Sequence, residues 1–143
     1  MNYLWLIFGL LSALFASLVA IFGKIGLKNL DTNVATAIRA VIMALFLVLV
    51  IIFQGRLNKV GEILANKKAI LFIVLSGVAG ALSWLFYFLA LKNGKVQQVA
   101  PIDRLSVVFA IVLAAIFLGE KISFYTGLGV LLIAIGSIFV ALG

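Results

Sequence analysis

Cysteine and histidine are both absent from the 143 residues, acidic side chains number four, and proline occurs once. Without cysteine there is no disulfide framework and no thiolate metal site. Without histidine the commonest metal ligand and physiological acid–base group is missing as well. Charge of any kind is scarce: 10% of the residues are charged and 66% hydrophobic, where a soluble domain carries about 25% and about 45–50%. Mean hydropathy is +1.38. A chain this apolar cannot cover a water-facing surface, so its solvent is the bilayer. That excludes soluble enzymes, nucleic-acid-binding modules and secreted disulfide scaffolds together. The net charge of +7 points to headgroups and orientation, because the eleven basic residues sit mostly between apolar runs.

What is present is a succession of apolar runs, each long enough to cross a membrane as a helix of about 20 residues. They are predicted at about 3–23, 33–53, 69–91, 96–119 and 122–143. The first run, from Met1 to Gly23, has no charged side chain. Met-Asn-Tyr supplies no basic n-region, so it reads as a retained span and not a signal peptide. The second holds Arg39, and the fourth holds Pro101, Asp103 and Arg104. None alternates apolar with polar residues, which excludes a β-barrel. The fold class is all-α integral membrane: a five-helix bundle forming one domain over residues 1–143.

Connections are short except Gln54–Lys68. There Leu57, Val60 and Leu64 share a helical face flanked by Arg56, Lys59, Lys67 and Lys68. That pattern predicts a short amphipathic turn at the headgroups, or else a solvated loop. Gly119 suits a helix stop and Ser123 an N-cap, making a tight link between the last two spans. Small residues recur on one face of the first span (Gly9, Ala13, Ala16, Ala20, Gly23) and of the fifth (Gly129, Gly136, Gly143). Ser76, Gly80, Ser83 and Tyr87 do so in the third. Such stripes mark close helix packing, within the bundle or, for the fifth span, between subunits.

Ionisable groups inside a span cost roughly 2.5–3.5 kcal/mol each at mid-membrane and persist where they face a wet cavity or each other. The connectivity brings Lys24, Asn33, Thr36, Arg39, Trp84, Tyr87, Asp103, Arg104 and Ser106 towards one end of the bundle. From there Asp103, Ser106, Ala110 and Ala114 form a partly polar stripe along the fourth span. Structural alternatives stand beside this. Arg39 and Arg104 can reach headgroups, Asp103 can neutralise an arginine, and Trp84 and Tyr87 can belong to an interfacial aromatic belt. Pro101 is tolerated within the first turn or so of a helix but deeper in frees a carbonyl, and a backbone irregularity beside Asp103 would be typical of a transporter site. No catalytic constellation, phosphate loop or metal ligand set is found, and neither enzyme activity nor a cofactor is expected.

Ala100-Pro101-Ile102-Asp103-Arg104-Leu105-Ser106 and Phe117-Leu118-Gly119-Glu120-Lys121-Ile122-Ser123 resemble the EamA-type signature of the drug/metabolite transporter superfamily. Phe22-Gly23-Lys24-Ile25-Gly26-Leu27-Lys28, Asn33-Val34-Ala35-Thr36-Ala37-Ile38-Arg39 and Leu82-Ser83-Trp84-Leu85-Phe86-Tyr87-Phe88 agree with it, in order, along the chain. The chain is most similar to the five-helix single-domain bacterial and archaeal members. Larger relatives join two such domains of inverted topology. The resemblance implies an inner-membrane carrier of small metabolites, often an exporter of amino acids or related solutes. One departure is Leu89, where the family pattern often has a basic residue after Phe-Tyr-Phe; if that side chain touches substrate in relatives, their specificity does not transfer. The related four-helix multidrug exporters use a carboxylate in the first span, which here has no ionisable group.

The resulting expectation is a secondary transporter of anionic or zwitterionic solutes, an EamA-like half-transporter working by alternating access as an antiparallel homodimer. Arg39, Trp84, Tyr87, Asp103, Arg104, Ser106, Thr36 and Lys24 would line its path, with Asp103 the possible proton-coupling group. Gly9, Ala13, Ala16, Ala20, Gly129 and Gly136 would serve helix or dimer packing. The alternatives are a non-transporting membrane subunit and a lipid-headgroup translocase. A weak charge bias leads to the expectation of dual insertion, the competing outcome being a single N-in topology driven by the four basic residues between Gln54 and Lys68. Arg56, Lys59, Lys67, Lys68 and Lys121 lie on one side, and Lys24, Lys28, Lys92 and Lys95 on the other with Arg39 and Arg104 nearest to it.

Overall fold

The computed structural model describes residues 3–143; Met1 and Asn2, where the first apolar run begins, lie outside the described residues. In chain order the helices are α1 (Leu4–Gly26), α2 (Thr32–Phe53), α3 (Asn58–Ala65), α4 (Lys67–Asn93), α5 (Val96–Asp103), α6 (Leu105–Leu113), a π-helical segment (Ala114–Leu118) and α7 (Phe124–Leu142). No strand occurs among the described residues. Among the described residues five stretches are long and apolar enough to span a membrane: α1, α2, α4, Val96–Leu118 and α7. The third span is longer than its apolar run, because α4 takes in Lys67 and Lys68 at its start and Lys92 near its end. Long cationic side chains at helix ends reach the interface while their stems stay apolar.

The side-chain distribution is that of a protein dissolved in lipid. Among the described residues the buried apolar ones are only Ala20, Leu27, Phe88 and Leu91, whereas Phe15, Phe46 and Phe117 are 62%, 64% and 78% exposed. Thr32, Thr36 and Ser137, all polar, are buried. In water this arrangement would leave a large apolar surface uncovered; in a bilayer it is the expected one.

The chain divides into two compact units, Gly26–Lys92 and Met1–Ile25 with Asn93–Gly143. In the first, Asn29 takes a left-handed backbone (φ 65°), which asparagine tolerates better than other non-glycine residues. Asp31 then caps α2, its Oδ1 accepting the Asn33 and Val34 backbone N–H groups at 2.9 and 3.0 Å. The Val34 and Asn33 bonds hold the Asp31 carboxyl below its ordinary value, with Lys92 assisting. Lys92 Nζ donates to the Leu30 carbonyl at 3.3 Å. Gly55, at φ 65°, turns the chain into the amphipathic α3. Asn66 Oδ1 starts α4 by accepting the Ala69 N–H at 3.0 Å.

In the second unit the fourth span is interrupted. Pro101 is interior to α5, so it has no N–H to give the Gln97 carbonyl one turn back. The helix breaks at Arg104, whose N–H is shared between the Ala100 and Pro101 carbonyls at 3.3 and 3.1 Å, and α6 begins at Leu105. The π-helical segment has no counterpart among the sequence expectations. It ends on Gly119 at φ 68°, with the Glu120 N–H reaching back to the Ala114 carbonyl at 3.4 Å. Ser123 caps α7, its Oγ accepting the Thr126 N–H at 3.1 Å. Helices α5 and α6 both pack on α7.

Candidate functional site

Arg39 lies seven residues after the start of α2, about 10 Å along the helix axis. An arginine there requires an explanation, because neither neighbouring turn of α2 offers it an acidic partner. Its guanidinium is held between aromatic faces of α4: Cζ is 3.6 Å from the Phe88 ring centroid and 4.3 Å from that of Trp84. Trp84 and Phe88 are four residues apart, so one face of α4 presents both. Phe88 is 1% exposed, and Tyr87 meets it edge-on with centroids 5.3 Å apart.

Stacking occupies the faces of the guanidinium and leaves its edges unsatisfied. Nε and Nη2 of Arg39 are buried and have no hydrogen-bond partner. Each buried donor without an acceptor costs about 1–3 kcal/mol, whereas each desolvated cation–π contact returns about 2 kcal/mol. The rings therefore hold the charge in place without answering its hydrogen-bonding demand. Thr36, one turn earlier and buried, donates its hydroxyl proton to the Thr32 carbonyl at 2.7 Å. Its lone pairs remain available to a donor.

Below Arg39 runs a cleft between α2 and α4, of about 400 Å³, lined by Ala40, Met43, Ala44 and Leu47 on one side and Gly77, Gly80, Ala81 and Trp84 on the other. This face of α4 is offset from the Ser76–Gly80–Ser83–Tyr87 stripe expected from the sequence; only Gly80 belongs to both. A Cβ added at Gly77 or Gly80 would meet nothing within 4 Å, so these glycines open space instead of closing a helix contact.

The remaining residues singled out in the sequence are distributed as follows. Lys24 donates to the Gly94 carbonyl at 2.7 Å, tying the end of α1 to the α4–α5 turn. Asp103, half-buried, and Arg104 and Ser106, both exposed, flank the α5–α6 break in the unit that does not contain Arg39. Along α1 the small-residue stripe is buried only at its end: Ala20 is buried, Ala16 half-buried and Ala13 exposed, and a methyl at Gly9 would meet nothing within 4 Å. On α7 Ser137 is buried, Gly129 and Ala134 are half-buried, and Gly136 is exposed. A methyl added at Gly129 or Gly136 would likewise meet nothing within 4 Å. Among the described residues no group of three or more acidic, cysteine or histidine side chains could hold a metal. Phe88 is the residue sequence reasoning missed, and the signal for it was its four-residue spacing from Trp84.

Comparison with known proteins assigns this architecture. The EamA-like transporter family matches residues 3–142. The chain belongs to that family. A Sinorhizobium protein described as an uncharacterized transporter in the cobO 3' region is 40% identical over 141 residues, covering 99% of each chain. No solved structure matches. This EamA-like chain is thus a multi-pass membrane transporter.

Proposed function

We propose that the chain carries a small anionic or zwitterionic metabolite out of the cell across the inner membrane, by alternating access in an antiparallel homodimer. The observation that carries the charge preference is the Arg39 guanidinium, stacked on Trp84 and Phe88 with two buried donors unpartnered. A carboxylate would accept both in a planar, two-point geometry that lysine cannot reproduce. Tyr87 and Thr36 lie beside it. Asp103, Arg104 and Ser106 line the path at the interrupted fourth span, and Asp103 is the group available for proton coupling. Broken helices at mid-span are how secondary transporters commonly expose backbone groups to solute. Open space at Gly129 and Gly136 favours α7 as the surface on which two copies meet.

Thermal stabilisation of the purified protein across a metabolite library tests this reading. Stabilisation by carboxylates or amino acids, lost in Arg39→Gln, is the expected result. Stabilisation by phospholipid headgroups alone would mark a lipid-headgroup translocase. Response to no solute, with a single protein copurifying, would mark a non-transporting subunit.

A further inference from the structure

The unsatisfied edge of Arg39 and the apolar cleft share a wall, and together they specify more than a charge. Trp84 both stacks on the guanidinium and lines the cleft. Ala40, the residue after Arg39, lines it from the other helix. From Trp84 to Gly77 the cleft extends about 10 Å along α4, and no polar side chain other than the Trp84 indole contributes to its lining. At about 400 Å³ it lies within the range of pockets that take small organic ligands, roughly 300–1,000 Å³. An inorganic anion or a small, wholly polar metabolite would satisfy Arg39 and leave this volume wet and apolar. An aliphatic amine or alcohol would fill the volume and leave Arg39 unanswered.

Resting on the reading of the chain as a carrier, we infer that the α2–α4 cleft is a two-part binding site for a free carboxylate bearing an apolar body. Arg39 takes the carboxylate, and Gly77 and Gly80 set the length and bulk of the apolar part. Gly80 is the specificity-determining position: it lines the cleft and a Cβ added there meets nothing within 4 Å, so a larger residue takes up space the ligand's tail uses. Ala44 lines the opposite wall.

Trp84 is a built-in reporter, since the chain has two tryptophans and Trp5→Phe leaves it alone. In nanodiscs, the emission of this variant is titrated with the acid series from butyrate to octanoate and with matched amines and alcohols. Saturable changes with acids alone are expected, each buried methylene tightening binding about fourfold. Gly80→Val should weaken the longer acids at least tenfold and leave butyrate unchanged; Ala44→Leu gives the same readout should Gly80→Val misassemble. Alcohols binding as tightly as acids, or a length profile indifferent to both variants, would overturn the inference. So would quenching by brominated phospholipid that octanoate fails to relieve, which would mark the cleft as lipid-filled. Solute exchange in proteoliposomes separates the two levels. Acids that bind as described but do not cross contradict the carrier reading and leave the site standing, while carriage of a solute that never perturbs Trp84 does the reverse.

Discussion

Replacing Arg39 with methionine separates a residue kept for binding from one kept for folding. The side chain loses its two ring contacts, worth about 2 kcal/mol each when desolvated. It also removes two buried donors, Nε and Nη2, that have no partner and that cost about 1–3 kcal/mol each. Methionine keeps an unbranched apolar stem against Trp84 and Phe88 and makes favourable sulfur–aromatic contacts of its own. These quantities nearly cancel, so the stability of Arg39→Met in detergent should stay within about 2 kcal/mol of the parent. Solute binding should not survive. Two charge-assisted hydrogen bonds at about 1.5–3 kcal/mol each correspond to a loss of at least a hundredfold in affinity. Arg39→Lys keeps the charge but not the fork, and should lose about tenfold. Thermal denaturation and ligand titration on the same preparations decide the matter. A sharp fall in stability with carboxylate affinity intact would refute the reasoning and make Arg39 a structural residue.

Gly119→Ala places a Cβ in a left-handed conformation at φ 68° and should destabilise by about 1–2 kcal/mol, measured by thermal unfolding, while Gly129→Ala, with open space around it, should leave the monomer's stability unchanged. Asp31 is held deprotonated by the Val34 and Asn33 amides. Its folded-state pKa lies below the unfolded one, so its contribution is complete above the ordinary aspartate value and is lost as pH falls through the lowered value; in Asp31→Asn this acid-limb loss should vanish from a stability–pH profile. If transport is proton-coupled, Asp103→Asn should abolish its pH dependence, and an intact dependence in that variant excludes Asp103 as the coupling group. Single cysteines at Asn58 and Asn93, in a chain with none of its own, should each label partially with an impermeant thiol reagent in intact cells if insertion is dual. All-or-none, opposite labelling would contradict the antiparallel dimer.

Much of the architecture was readable because the bilayer imposes coarse rules. Apolar length defined the spans, and local chemistry supplied the punctuation: Gly119 stops a helix and Ser123 caps the next one as their residue types require. The Leu57–Val60–Leu64 spacing foreshadowed α3 in the same way. The π-helical segment was not readable, since Ala114–Leu118 contains neither proline nor glycine to mark an irregular turn. Pro101 signalled an irregularity, but only the shared Arg104 N–H places it after Asp103. At the site, Arg39 was conspicuous as a charge within an apolar run. Trp84 and Tyr87 were placed at its level, but the stacking on Trp84 and Phe88 was not legible, because an aromatic row near a helix end has the composition of an interfacial belt whether or not it stacks on a cation. Which face of α4 carries the open glycines was a matter of helix rotation. Composition holds no record of that, so the expected stripe and the observed cleft share only Gly80.

Counterflow in proteoliposomes tests the central claim most directly. Vesicles loaded with an unlabelled apolar carboxylate and diluted into its labelled form should accumulate label transiently with the parent protein and not with Arg39→Gln at equal density. The matched amine should drive no accumulation in either. Label uptake no faster than in protein-free vesicles across the carboxylate and amino-acid series, or equal uptake by Arg39→Gln, would contradict the account.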